Sequence, residues 1–241
     1  MSRTTYKSEN KVRTLVAVGV FCALAYISCV LFHFKVSFLT FDLKDAVMTI
    51  GGMLFGPLYG LAMAVIVALL EMVTVSTTEF YGLIMNVLSS ATFVCVGSAV
   101  YMHRRRLSGA VIGMSSSVVA MTAVMMGANL VITPFYMGVS ASDVAAMIPS
   151  LLLPFNLTKA VFNASLVFIL YKPVSTALSH AGFRSVTSGL TETLADAQPD
   201  GKNGKKKTVT SIIVIAVAVA IAAASLAFFF IKLGGSFSFG K

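Results

Sequence analysis

The chain has 241 residues, of which 57% are hydrophobic and 11% charged, with a mean hydropathy of +0.90. A soluble domain carries about 25% charged residues, so this composition excludes an ordinary water-soluble fold and puts most of the surface against lipid. The formal net charge of +9 does not point to nucleic acid, because the basic residues fall between apolar runs rather than along a soluble face.

In chain order, the N-terminal Arg3, Lys7, Lys11 and Arg13 precede an apolar stretch. That stretch is too long for the core of a secretion signal and has no small-residue cleavage site after it, so it reads as an uncleaved first span. About 20 apolar residues cross the hydrocarbon core as a helix. Spans are expected at Leu15–Phe34, a short Ala46–Phe55, Leu58–Val75, Leu83–Met102, Ala110–Phe135, Leu151–Tyr171 and Ile212–Ile231. Gly56-Pro57 separates the second from the third, as where one helix ends and another starts. Cys22, Cys29 and Cys95 sit inside apolar segments without a CxxC pair or a nearby His, and read as small buried hydrophobes.

Beyond the sixth span, residues 176–209 are polar and rich in Gly, Ser, Thr and Lys, the composition of a flexible linker. This linker is expected to separate the last span from the rest, so that truncation after Thr187 leaves ligand binding intact. Within the last span Ala216, Ala220 and Ala224 form a ridge of small residues that suits either helix packing or a plain lipid anchor. The expected organisation is an N-tail (1–14), a membrane domain (15–175), the linker (176–209), a further transmembrane helix (210–232) and a tail (233–241).

Charge orients the chain. With a cytoplasmic N-terminus, the inside segments hold thirteen basic residues, including Arg104, Arg105, Arg106 and Lys205, Lys206, Lys207, against Lys35 and Lys44 outside. The positive-inside rule then places an even number of spans before the lysine cluster and leaves the C-terminus outside a cell membrane.

Polar side chains inside spans are costly and mark function. Asn156, Lys159 and Asn163 are spaced i, i+3, i+7 on one face of the sixth span. Lys159 lies about nine residues in, or roughly 13 Å deep at the helical rise. Glu79, Gly82 and Asn86 share a face at the outer start of the fourth span, and Asn129 lies near the outer end of the fifth, ahead of Thr133 and Tyr136. The first outer loop, with Phe38, Leu39, Thr40, Phe41 and Asp42, is long enough to fold over a cavity mouth. Amides beside aromatic rings suit a flat, polar-edged aromatic ligand. Against these readings, Glu79 could be a solvated helix-start acid, Asn129 a helix-packing amide, and Asp42 or Asp45 a helix cap.

No GxxxxGK[ST] phosphate loop, HExxH, GxSxG or zinc-ligand cluster occurs in the sequence. An enzyme has no chemistry to stand on, and neither a metal nor a cofactor is expected.

Residues 12–175 resemble the substrate-binding S-components of energy-coupling factor (ECF) vitamin transporters, specifically the riboflavin members. The segments that carry the likeness are FLTFDLKDAVMTIGGMLFGPLYG, TTEFYGLIMN, NLVITPFYMG and LLPFNLTKAVFNA. The resemblance implies an all-α six-helix bundle, here with one extra C-terminal transmembrane helix. It also implies an outward pocket for riboflavin as transported ligand, and partnership with a membrane coupling subunit and two ATP-binding subunits. Carried over, Leu39, Thr40, Asp42, Glu79, Gly82, Asn86, Asn129, Asn156, Lys159 and Asn163 match positions expected to line the pocket. The family couples through AxxxA on the first helix; here Gly19 and Ala23 hold that spacing. The alternatives are an S-component for another vitamin such as thiamine, and a stand-alone carrier titrating Lys159 and Glu79.

Overall fold

The computed structural model describes residues 2–32, 34–74, 79–180, 204–234 and 236–237. Helix α1 (Ser2–Leu31) leads into a small hairpin, β1 (Phe34–Val36) and β2 (Leu39–Phe41), and then into α2 (Lys44–Phe55). There follow α3 (Pro57–Thr74), α4 (Glu79–His103), α5 (Leu107–Met137) and the short, seven-residue α6 (Ala141–Met147). A π-helical turn (Ile148–Leu152) joins α6 to α7 (Leu153–His180), and α8 (Gly204–Lys232) ends in the short strand β3 (Ser236–Phe237).

Among the described residues six helices are long and apolar enough to cross a membrane. Their outward faces are apolar: Leu58, Val73, Phe135 and Ile231 are each at least 74% exposed, as lipid-facing side chains must be. The inward faces carry the polar groups. This inside-out arrangement fits a hydrocarbon solvent in which the helices satisfy their own backbone groups.

The expected break falls where the sequence puts it. Gly56, with φ of 117°, ends α2 in a conformation closed to side-chained residues, and Pro57 starts α3 at the position that needs no N–H. Helices α4 and α5 pack closely at Gly113, where an added Cβ would lie 2.9 Å from the Gly97 carbonyl oxygen.

Helix α2 is the exception to lipid exposure. Ten of its twelve residues are buried, Lys44 and Asp45 among them. Twelve residues span roughly 18 Å, against roughly 27 Å for the eighteen of α3. Because α2 turns into α3 at Gly56, its start lies well below the top of α3, and the loop before it must descend into the bundle.

The C-terminal segment also departs from expectation. Helix α8 is not separate from the membrane domain, for it packs along α7. Its buried residues are Ala218, Ala222, Ser225 and Phe229; the expected ridge of Ala216, Ala220 and Ala224 is exposed. A helix in lipid selects its packing face by fit to the neighbour, and Phe229 finds an aromatic socket that small residues alone do not encode. The boundaries shift as well. Helix α1 already runs from Ser2 through the expected N-tail, and α7 continues to His180 while α8 begins at Gly204. The remainder of the expected linker, with Thr187, lies outside the described residues. Part of the expected tail forms β3, which pairs with β1 to give the sheet order β2-β1-β3.

Candidate functional site

The loop before α2 and parts of six helices line a cavity of about 200 Å³. Its walls gather Cys29 of α1, Glu71 of α3, Asn86 and Ser89 of α4, Asn129 of α5, and Asn156 and Lys159 of α7. Phe38, Tyr81, Tyr136 and Phe155 supply aromatic surface. All of this lies at the end of the bundle opposite Arg104–Arg106.

The floor is an ion-pair cluster assembled from distant parts of the chain. Lys159 donates to Asp42 Oδ2 at 3.0 Å and to the Thr40 carbonyl at 3.2 Å. Lys44 stands 3.6 Å from the same Asp42 oxygen and donates to Glu71 Oε2. Asn86 donates to Glu71 Oε2 at 3.0 Å, and Ser90 donates to Asp45 Oδ1 at 2.5 Å. Isolated, each of these charges would be prohibitively costly in a membrane interior; linked, each has a counter-charge or hydrogen bonds. The donor atoms of Cys29, Asp42 and Glu71 lie within 4.8 Å of one another, a spacing that could hold a metal ion. The Lys44 ammonium, however, is hydrogen-bonded to Glu71 and stands 3.6 Å from Asp42, so it already supplies the positive charge.

Among the described residues, polar atoms on the cavity wall are left incomplete. Glu71 Oε1 and Ser89 Oγ are buried without a hydrogen-bond partner, although both residues line the cavity. Buried polar atoms are nearly always paired in native proteins, so these two are suited to meet groups of a bound ligand.

Leu39, Thr40, Asp42, Gly82, Asn86, Asn129, Asn156 and Lys159 all lie on the cavity wall. Asn163 does not. It is buried behind the cavity, where its Oδ1 accepts the Ala46 N–H at 3.0 Å and its Nδ2 donates to the Asp42 carbonyl at 3.0 Å. It thus serves α2 as an N-terminal cap supplied from α7, the Leu43 side chain making no such bond. Glu79 opens α4, but its side chain lies outside the described residues. The sequence reading missed Glu71, although an acid in the apolar run ALLEMVT is the same warning that singled out Lys159. It also passed over Ser89 and Cys29 as ordinary span residues; nothing local distinguishes them. Gly19 and Ala23 are exposed on α1, opposite its buried Ala17, Val18, Phe21, Cys22 and Ala25.

A family model for the substrate-specific component of ECF transporters matches residues 13–171, about two thirds of the chain. The chain is an ECF-transporter S-component. A curated relative, the riboflavin transporter RibU of Staphylococcus aureus (strain TCH60), is 25% identical over 179 residues, which cover 70% of this chain and 93% of the relative. A solved structure described as the S component of a bacterial ECF transporter matches with a TM-score of 0.60. It shares 23% identity and covers 70% of this chain and 98% of its own; that likeness concerns the fold. As an S-component the protein is a multi-pass membrane subunit that binds a substrate, not an enzyme, and it works with the other subunits of an ECF transporter. Membership removes the stand-alone carrier.

Proposed function

We propose that this S-component captures riboflavin in the cavity and passes it inward through a complex with a membrane coupling subunit and two ATP-binding subunits. The observation that carries the reading is the pair of unpartnered buried oxygens, Glu71 Oε1 and Ser89 Oγ, on a wall shared with four aromatic side chains. A ligand that answers both features has an extended ring system and several hydroxyl or imide donors, which describes a flavin with its ribityl chain. Aromatic rings cover the ring face while amides and carboxylates read its edge and chain. In this reading Thr40, Asp42, Asn86, Asn129, Asn156 and Lys159 orient the ligand, with Leu39 and Gly82 closing on its apolar surface. The curated riboflavin transporter supports the choice of substrate by its similarity. The positive-inside bias supports a cavity on the outer side of the cell membrane, and the exposed small residues Gly19 and Ala23 support a coupling surface on α1.

A second reading rests on charge. The floor holds three carboxyls, Asp42, Asp45 and Glu71, against two ammoniums, Lys44 and Lys159, and one surplus negative charge would suit a cationic vitamin such as thiamine. One experiment separates the two. Protein purified in a nanodisc and titrated with each vitamin should quench riboflavin fluorescence and retain the yellow flavin spectrum. Saturable thiamine binding without flavin binding would replace the first reading with the second.

A further inference from the structure

The family match ends at residue 171, yet the chain beyond it returns to the cavity. Helix α8 runs back to the cavity end of the bundle, and β3 pairs antiparallel with β1, setting Phe237 opposite Phe34 and Ser236 opposite Lys35. On its other edge β1 pairs with β2, setting Lys35 opposite Thr40 and Val36 opposite Leu39. The hairpin that carries Leu39 and Thr40 into the cavity wall is therefore the middle and edge of a sheet whose third strand is the C-terminal segment.

A second contact reaches the same loop from beneath. Phe229 is fully buried, its ring centroid 4.6 Å from that of Phe41 and 6.3 Å from that of Phe155. Phe41 sits between Thr40 and Asp42, which line the cavity, and Phe155 lines it too. Val36, Leu39, Phe41, Phe155, Phe162, Ala222 and Phe229 form one apolar cluster, distinct from the main core. A two-stranded hairpin of three-residue strands is barely stable on its own, and the turn of this one holds Ser37 at a φ of 53°, an uncommon value for a residue with a side chain. What holds such a loop in one place must come from outside it.

We propose that Phe229 and strand β3 are positioning elements of the substrate site. Together they clamp the β1–β2 hairpin against the bundle and slow the escape of a bound ligand. They touch no ligand themselves; they act through Phe41 and β1 on Leu39, Thr40 and Asp42. Resting on the cavity assignment above, the clamp changes chiefly the dissociation rate, because holding a loop in its bound conformation is a matter of residence more than of encounter.

The test uses the full chain in nanodiscs with riboflavin as probe. Phe229→Ala and Ser236→Pro, the second removing a backbone donor from β3, should each raise the riboflavin dissociation rate about tenfold or more. Association should change little, and Phe229→Leu should recover most of the loss. Hydrogen exchange on ligand-free protein should show faster exchange at Val36–Phe41 in Phe229→Ala and Ser236→Pro, and wild-type rates in the main core. Lys35→Cys and Ser236→Cys, combined with Phe229→Ala, provide an internal control. The native cysteines Cys22 and Cys29 are buried and Cys95 is half-buried, so oxidation should join the introduced pair, and the disulfide should restore slow release that reduction abolishes. Unchanged dissociation and unchanged hairpin exchange in Phe229→Ala and Ser236→Pro would overturn the clamp. So would faster dissociation that oxidation fails to reverse. If wild-type protein binds no riboflavin, the substrate reading fails, and the exchange of Val36–Phe41 alone decides the clamp.

Discussion

Asp42 draws charge from both sides, from Lys159 on α7 at 3.0 Å and from Lys44 at 3.6 Å, while Glu71 shares Lys44. Removing one member of a buried pair strands the other, at a cost of about 3–5 kcal/mol. Lys159→Met is therefore expected to lower the melting temperature as well as weaken riboflavin binding by about 1–3 kcal/mol. Adding Asp42→Asn to it should cost less than Asp42→Asn costs alone, because the stranded charge disappears with its partner. Additive effects would mean that the two side chains act separately. Glu71→Gln tests the unpartnered oxygen. It keeps the shape but weakens the acceptor, and affinity measured by fluorescence quenching should fall by about 1 kcal/mol or more. Full affinity would assign Glu71 to holding Lys44 alone. Asn163→Ala should behave differently from both. Asn163 caps α2 from behind the cavity, so thermal stability should drop by about 1–3 kcal/mol with a smaller change in intrinsic affinity. A stable protein that cannot bind would show that Asn163 meets the ligand.

Helix α1 has two faces with different work. One buries Val18, Phe21, Cys22, Ala25 and Cys29 in the bundle; the other presents Gly19 and Ala23, and a Cβ added at Gly19 would meet nothing within 4 Å. Small exposed residues four apart allow a partner helix to approach closely in lipid, where helices gain little hydrophobic drive from association. Replacing both with Leu is expected to abolish assembly with the coupling complex and vitamin uptake, while riboflavin binding by the isolated subunit survives. Loss of binding together with uptake would mean that this stripe supports the bundle. Helix α8 teaches the complementary point. Its alanines at positions 216, 220 and 224 look like the better packing ridge, yet the stripe two residues further on is buried. In a helix that is apolar all round, composition does not choose the face; the neighbour does.

For the molecule as a whole, the arginine cluster of the α4–α5 turn and the cavity occupy opposite ends. Arg104, Arg105 and Arg106 are exposed in the α4–α5 turn, and the cavity opens at the other end, near Tyr136. Positive charge is retained on the cytoplasmic side, so labelling of single introduced cysteines with an impermeant reagent should reach position 142, exposed at the start of α6, from outside intact cells. Position 105 should react only after the cells are opened. The reverse pattern would turn the cavity toward the cytoplasm and remove the uptake reading.

The sequence by itself determined the solvent, the existence of the long apolar helices, the Gly56-Pro57 break and the helical faces that bear Asn86, Lys159 and Asn156. These follow from local physics: composition fixes which environment a segment tolerates, and a period of 3.6 fixes which side chains share a face. Only the tertiary structure decided that Lys44 and Glu71 meet across 27 positions, that Asn163 caps a helix 117 positions away, and that the C-terminal strand β3 pairs with β1. Pairings of this kind depend on the relative depth and rotation of neighbouring helices. In lipid, the fit of one surface to another sets that depth and rotation, and no single segment carries a record of it.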